Sequence, residues 1–255
     1  MRYRSIFMMT VVIVIACLQS SCEKEKFCTT YSIALNKVSP YYDGQWQGIL
    51  AASDGACYFG ASCHSLIHGG GFFRFDPVTK QFDVLVEDFT TLVGTDLSKN
   101  TPQGKVHSPI IEIDGTLYLS THLAAYWDDV LDKYEGSHIL SYNMAEKKWR
   151  EYGVVRPRFS TYSAVEVDAK RGKIYAMIVP FAPDDKKDGD HLYQIDIKSG
   201  EKRDLGRVSD GKGVFWFYLD NTGKLWFPVW RSKNTFHCYD PETDSITFSG
   251  ISGYI

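Results

Sequence analysis

Seven side chains able to bind an anion or move a proton stand at the ends of strand-like runs. His107 lies eight residues before Gly115, and His122 lies seven after it. Arg156, Arg158 and Tyr162 share one approach segment. Trp230 follows Gly223 at the same seven-residue offset, with Arg231 next. Histidine and tyrosine act as general acids and bases once their surroundings tune them. Arginine grips a carboxylate or sulfate through two parallel bonds, and tryptophan offers an apolar face on which a sugar ring can stack. In combination these residues describe a site for an anionic, ring-shaped ligand. Each has a plainer reading alone: a strand-end histidine bonded to backbone, a packed tyrosine, a solvated arginine.

Other candidates read as structural. His138 and His191 each fall five residues before the residue that ends a strand, Asn143 and Asp196, and recurrence at equivalent places suits a scaffold role. His64 and His68 flank the loop into Gly69-Gly70-Gly71, a weak metal signal. Two loop clusters, Asp128, Asp129 and Asp132, and Asp184, Asp185, Asp188 and Asp190, have the donors calcium needs, but solvated loop charge is the simpler reading. No Gly-rich phosphate loop, serine nucleophile elbow or zinc spacing is present.

What must position the seven is a repeat. Four segments share an apolar strand, a tight turn ending in Gly, a second strand, a variable loop, and a third strand closing on Asp or Asn; a turn and a fourth strand follow. The turn glycines are Gly55, Gly115, Gly172 and Gly223, and the third strands end at Asp76, Asn143, Asp196 and Asp240. The glycine spacings are 60, 57 and 51 residues. Asp54-Gly55 and Asp114-Gly115 are hairpin signals. Stretches such as Phe215-Trp216-Phe217-Tyr218-Leu219 are apolar on both faces, as a strand between packed sheets must be. Four strands per unit at this period fit the blades of a β-propeller, stacked radially because one blade cannot bury its own faces. A β-sandwich predicts no such position-by-position recurrence. The fold expected is all-β, a propeller of four-stranded antiparallel blades over residues 43–255, with four full repeats at roughly residues 44–250. Residues 28–42 could add one further strand. Ser252-Gly253-Tyr254-Ile255 reads like the opening of another repeat, so four blades, five, or part of a larger propeller all stay open. In this topology the start of each first strand and the end of each second strand share one rim near the axis, which is where the seven candidates gather.

The 255 residues are 44% hydrophobic and 15% aromatic, with net charge −3. Residues 1–21 read as a signal peptide: Arg2 and Arg4, then an apolar run from Ile6 to Leu18, too short to span a bilayer as a helix. Its removal takes away two positive charges and no acids, leaving −5. Such a chain lacks the basic footprint of general nucleic-acid binding. Cys17 and Cys22 both sit in lipobox-like sequences. Cys22 is preferred, because it follows the apolar run and opens a polar tether at residues 22–42. A lipid there would hold the protein on a membrane of the cell envelope, at the outer membrane or in the periplasm; an ordinary cleaved signal is the alternative. Cys28, Cys57, Cys63 and Cys238 leave disulfide pairing open.

Lys105-Val106-His107-Ser108 through Thr121-His122, with Tyr162 beyond, resembles the propeller-type polysaccharide lyases, the ulvan lyases in particular. That resemblance implies cleavage of an acidic polysaccharide by β-elimination. His107 and His122 would neutralise the uronate carboxylate and assist proton transfer, and Tyr162 would be base and acid. The family's pattern also calls for an arginine on the strand after the tyrosine. Here that strand reads Ile174-Tyr175-Ala176-Met177-Ile178, so Arg156, Arg158 or Arg231 would have to serve. The competing reading is a non-catalytic propeller that binds glycan or protein.

Overall fold

The structure is a computed structural model and describes residues 30–210, 214, 216–229 and 235–253. The described residues from 35 onward belong to one compact unit. The signal segment, Cys17, Cys22, Cys28, Trp230 and Arg231 lie outside the described residues.

Among the described residues of 35–253 lie four antiparallel sheets of four or five strands, in chain order, and one two-stranded sheet. The first holds β1 (Tyr42–Gly44), β2 (Ile49–Ala51), β3 (Cys57–Cys63), β4 (Gly71–Phe75) and β5 (Phe82–Val86). The second region holds β6 (Gln103–Lys105), β7 (Ile111–Ile113), β8 (Thr116–Ser120), β9 (His122–Leu123), β10 (His138–Asn143) and β11 (Lys148–Val154). The third sheet is β12 (Phe159–Asp168), β13 (Lys173–Pro180), β14 (Asp190–Asp196) and β15 (Lys202–Ser209). The fourth is β16 (Tyr218–Leu219), β17 (Leu225–Val229), β18 (Thr235–Asp240) and β19 (Ser245–Ser252). Each sheet runs in order from first strand to last, as the repeat predicts. The turn glycines Gly55, Gly115, Gly172 and Gly223 have φ of 82°, 73°, 64° and 87°, a region closed to most side chains by their Cβ. Of the described residues within 28–42 only Tyr42 lies in a strand, as the first residue of β1, which pairs with the end of β3. Cys57, Cys63 and Cys238 are free thiols.

The core consists of seams between sheets. Tyr58 and Phe72 of the first meet Leu117, Leu119, Leu140 and Tyr142 of the second. Tyr118 and Ile139 meet Val165, Val167 and Ile178 of the third. Tyr175, Met177 and Leu192 meet Leu225, Phe227 and Tyr239 of the fourth. Each sheet is one blade, and each seam buries what a lone blade would expose.

The first strand is interrupted at a matching place in three consecutive blades. In blade one, β1 and β2 both pair with β3 and residues 45–48 separate them. In blade two, β6 pairs with β9 and β7 with β8, leaving residues 106–110 between them. In blade three, Thr161 pairs with Ile178 and Val165 with Ala176, so Tyr162, Ser163 and Ala164 oppose Met177 alone. Such bulges re-aim side chains. The backbones crowd here: a Cβ on Gly104 would overlap the Ala124 Cα and the Cys63 carbonyl oxygen. Gly104→Ala is therefore expected to destabilise the fold by about 1–3 kcal/mol, read as a lower urea midpoint. An unchanged midpoint would show that these strands separate freely.

Candidate functional site

The three interruptions supply one ring each. Trp46, from the break in blade one, stacks on His107 at 5.4 Å between centroids and 13° between planes. His107, from the break in blade two, stacks on Tyr162 of blade three at 4.6 Å and 25°. His122, on β9, stands edge-on to both, 5.3 Å from His107 and 5.5 Å from Tyr162. Phe181 closes the far side at 5.4 Å from His122, within an apolar cluster of Leu123, Leu131, Tyr134 and Val179 against which Tyr162 packs. Exposure falls steeply across the group. Trp46 is half exposed, His107 nearly buried and His122 fully buried.

Polar partners hold the buried members. The Nε2 of His122 lies 2.7 Å from the Tyr126 hydroxyl, and its Nδ1 is bonded to Ser160 Oγ. Lys105, 1% exposed, donates from Nζ to the carbonyls of Leu123 and Ala124 at 3.1 and 2.8 Å. Its ammonium also lies 4.2 Å from the centroid of the Tyr126 ring, a cation–π contact. His107 Nδ1 is buried without a hydrogen-bond partner.

Burial dominates the protonation of the group. It pulls Lys105 down to about 8, with Asp43 and Cys63 opposing the shift. It lowers His107, helped by the charge of Lys105. It drives His122 well below the usual imidazole value, with Lys105 and His107 adding to the effect. It raises the Tyr126 hydroxyl, with Tyr162 acting the same way. The heart of the site is thus a cationic lysine beside two neutral imidazoles. At its edge His64 is paired to Asp43 at 2.9 Å.

Of the residues singled out from the sequence, the structure brings His107, His122 and Tyr162 into mutual contact. Arg156 pairs with Asp188 at 2.5 Å and lies over the Phe159 ring. Arg158 pairs with Asp185 at 2.8 Å and Asp132 at 3.0 Å. Those three carboxylates belong to the loops considered for calcium; among the described residues no cluster of three or more His, Cys, Asp or Glu side chains could hold a metal. His138 bridges Glu151 and Glu135, and His191 contacts Asp204. Sequence reasoning missed Trp46, Lys105, Tyr126 and Ser160 as members of the site. Trp46 had a legible signal: it stands nine residues before its turn glycine, where His107 stands eight before its own and Tyr162 ten.

No protein-family model matches the chain, and no curated protein matches its sequence. Solved structures do. A streptogramin B lyase superposes with TM-score 0.52 at 14% identity over 84% of this chain and 56% of that one. A catalytically inactive virginiamycin B lyase from Staphylococcus aureus, with quinupristin, gives 0.53 at 13% identity over 84% and 57%. A protein of unknown function from Dyadobacter fermentans gives 0.55 at 10% identity over 84% and 71%. The chain spans a little over half the length of the two lyases. At these identities the likeness concerns the fold: the chain is an all-β propeller of four-stranded antiparallel blades.

The buried imidazoles make stability depend on pH. In the unfolded chain they protonate near pH 6.5, whereas the native site keeps them neutral to lower pH. The unfolded state therefore takes up protons first, and stability falls as pH drops through about 6.5, by about 1.4 kcal/mol for each unit of lowering. Urea unfolding between about pH 8 and pH 5 should show this loss, with a shallower slope in His122→Gln. Equal slopes in the two proteins would place the acid sensitivity elsewhere.

Proposed function

We propose that this protein acts on an acidic polysaccharide, by β-elimination at a uronic acid, from a lipid anchor at Cys22 in the cell envelope. The observation that carries the proposal is the meeting of His107, His122 and Tyr162, drawn from two adjacent blades, beside the buried cation of Lys105. The task of such a site is to acidify C5 by stabilising charge that builds up on the neighbouring carboxylate. His107 and His122 would face the carboxylate, and Lys105 would supply the positive field expected of the missing arginine. Tyr162, acting as the phenolate, would take the C5 proton and return it to the leaving oxygen. The C5–H and C4–O bonds break, the C4–C5 double bond forms, and the proton ends on the released sugar. Trp46, stacked on His107 and half exposed, would carry a neighbouring sugar ring. Neither Arg156 nor Arg158 is needed in this account, since loop carboxylates already hold both.

That exposed tryptophan also favours a second reading, a propeller that binds glycan without cleaving it. Absorbance of the unsaturated uronate, measured over a panel of acidic polysaccharides, separates the two. The expected result is a rise that falls by roughly a hundredfold or more in His122→Ala and in Tyr162→Phe, while Trp46→Ala raises KM and leaves kcat nearly unchanged. Absence of any rise from folded protein would reject elimination and leave glycan binding. Because an anionic ligand raises the pKa of the imidazoles it touches, binding should take up protons and tighten as pH falls. Titration calorimetry in two buffers of different ionisation enthalpy reads that uptake directly, and equal heats in both would remove the imidazoles from the binding face.

A further inference from the structure

Behind His122 runs a chain of buried hydrogen bonds whose direction can be worked out. Gln103 donates from Nε2 to the Gly136 carbonyl at 3.1 Å and to the Glu135 carboxylate at 3.1 Å. A carbonyl can only accept, so the amide orientation is fixed and Gln103 Oε1 faces the other way. It accepts from the Thr121 hydroxyl at 2.7 Å and from the Tyr134 hydroxyl at 2.9 Å. The Tyr134 oxygen lies 3.2 Å from Ser137 Oγ, which lies 3.0 Å from Ser160 Oγ, which is bonded to His122 Nδ1. The backbone N–H of Thr161 donates to Ser137 and so adds no proton that Ser137 could pass on as a hydroxyl donor.

The protons of this chain can be counted. Four bonds link Gln103, Tyr134, Ser137, Ser160 and His122 in a line. Three hydroxyls supply three protons, each pointing towards Gln103, so the fourth must come from Nδ1 of His122. Gln103, His122, Ser137 and Ser160 are fully buried and Tyr134 is 2% exposed, so no bulk water is at hand to repair a reversed link, and a missing bond would cost its full desolvation penalty. A neutral imidazole with its proton on Nδ1 has a bare Nε2. That atom faces the Tyr126 hydroxyl at 2.7 Å, and tyrosine must be the donor.

We infer that this buried chain locks His122 in its Nδ1–H tautomer and makes Tyr126 a second proton-carrying residue of the site, its hydroxyl bound to the bare Nε2. Ser160, Ser137, Tyr134 and Gln103 are positioning residues. The catalytic role of Tyr126 rests on the elimination reading above; the tautomer does not. In that reaction Tyr126, with Nε2 behind it as proton acceptor, takes the part first given to Tyr162: the C5 proton arrives on the Tyr126 oxygen as the tyrosine's own proton passes to Nε2. The C5–H bond and the first O–H bond break, a new O–H and an N–H form, and the released electron pair makes the double bond as the C4 oxygen departs. The proton on Nε2 then returns through Tyr126 to that oxygen. Without ligand the shared proton rests on Tyr126, because burial disfavours a charged imidazole. A bound carboxylate supplies the opposite charge that lets the proton cross.

Nitrogen-15 spectra of the full chain with labelled histidine test the tautomer without any substrate. His122 should show a protonated Nδ1 and a bare Nε2. Tyr126→Phe should leave Nδ1 protonated and move the Nε2 resonance as its donor is lost, and Ser160→Ala should let the second tautomer appear. A protonated Nε2 in the unaltered protein overturns the lock, as does an Nε2 signal indifferent to Tyr126→Phe. On a polysaccharide that the protein cleaves, Tyr126→Phe should lower kcat about a hundredfold or more with KM little changed; full activity would remove Tyr126 from the reaction. If nothing is cleaved, the elimination reading fails and takes the catalytic role of Tyr126 with it, while the spectra still decide the tautomer.

Discussion

A blade that is apolar on both faces cannot bury itself. β13 shows the constraint: Ile174, Ala176 and Ile178 pack towards blade two, while Tyr175 and Met177, between them in sequence, pack towards blade four. Successive side chains on a strand point to opposite faces, so both faces must find a neighbouring sheet. Full burial of each large side chain is worth about 1.5–3 kcal/mol, and these seams repeat along the chain. Stacking draws the first strands together. β12 lies against β7, β8 and β9 of blade two and β16 of blade four, and β6 lies against β3. Where strands converge so closely, an unbroken ladder of side chains no longer fits, and small residues such as Gly104 and bulges such as Tyr162–Ala164 take over. The site is built from those irregularities, so its geometry follows from the packing of the blades.

A buried polar group costs free energy unless its hydrogen bonds are met. Around His122 nearly all are met, and by partners brought from distant parts of the chain. Gln103 is held through Gly136, Ser137 through Thr161, and Lys105 through two consecutive carbonyls. Such networks favour one arrangement over near alternatives because each broken link is expensive in a low dielectric. The exceptions nearby, among the described residues, are Thr161 Oγ1 and His107 Nδ1. The His107 ring lies between Trp46 and Tyr162, and an unmet polar atom on a ring at the centre of the stack is a place where this fold forgoes stability.

The repeat was legible because turn chemistry is local. Gly115 needs a positive φ whatever surrounds it, and Asp114 before it marks the hairpin. His107, His122 and Tyr162 were legible one level up, since propeller topology turns an offset from a glycine into a place on a rim. Trp46 followed the same rule at its own offset. Lys105 did not: a lysine on a short strand is ordinarily solvated, and its burial depends on the carbonyls of Leu123 and Ala124, which no local pattern announces. Arg156 and Arg158 illustrate the reverse. Their types and their place on the approach to blade three suit an anion, but Asp132, Asp185 and Asp188, up to 32 residues away, reach them first. Pairing across such separations is set by loop paths, which periodicity does not encode.

The electrostatics favour an acid over a neutral sugar as the ligand of the proposed site. Lys105 keeps much of its charge at neutral pH, because burial brings it only to about 8. The charges acting most on His122 come from Lys105 and His107, both bases, so each proton added makes the next harder. A neutral ring placed on Trp46 would gain stacking and leave that imbalance untouched. A carboxylate would relieve it. At a separation of about 4 Å and an effective dielectric near 20, one opposite charge is worth roughly 4 kcal/mol before its own desolvation. Desolvation of the acid offsets part of that gain, whereas one aromatic contact adds about 0.5–1.5 kcal/mol whether or not the ring carries a charge. Selection between acidic and neutral glycans would therefore rest on the buried lysine and the imidazoles, and the tryptophan would set the register of the chain that carries the acid.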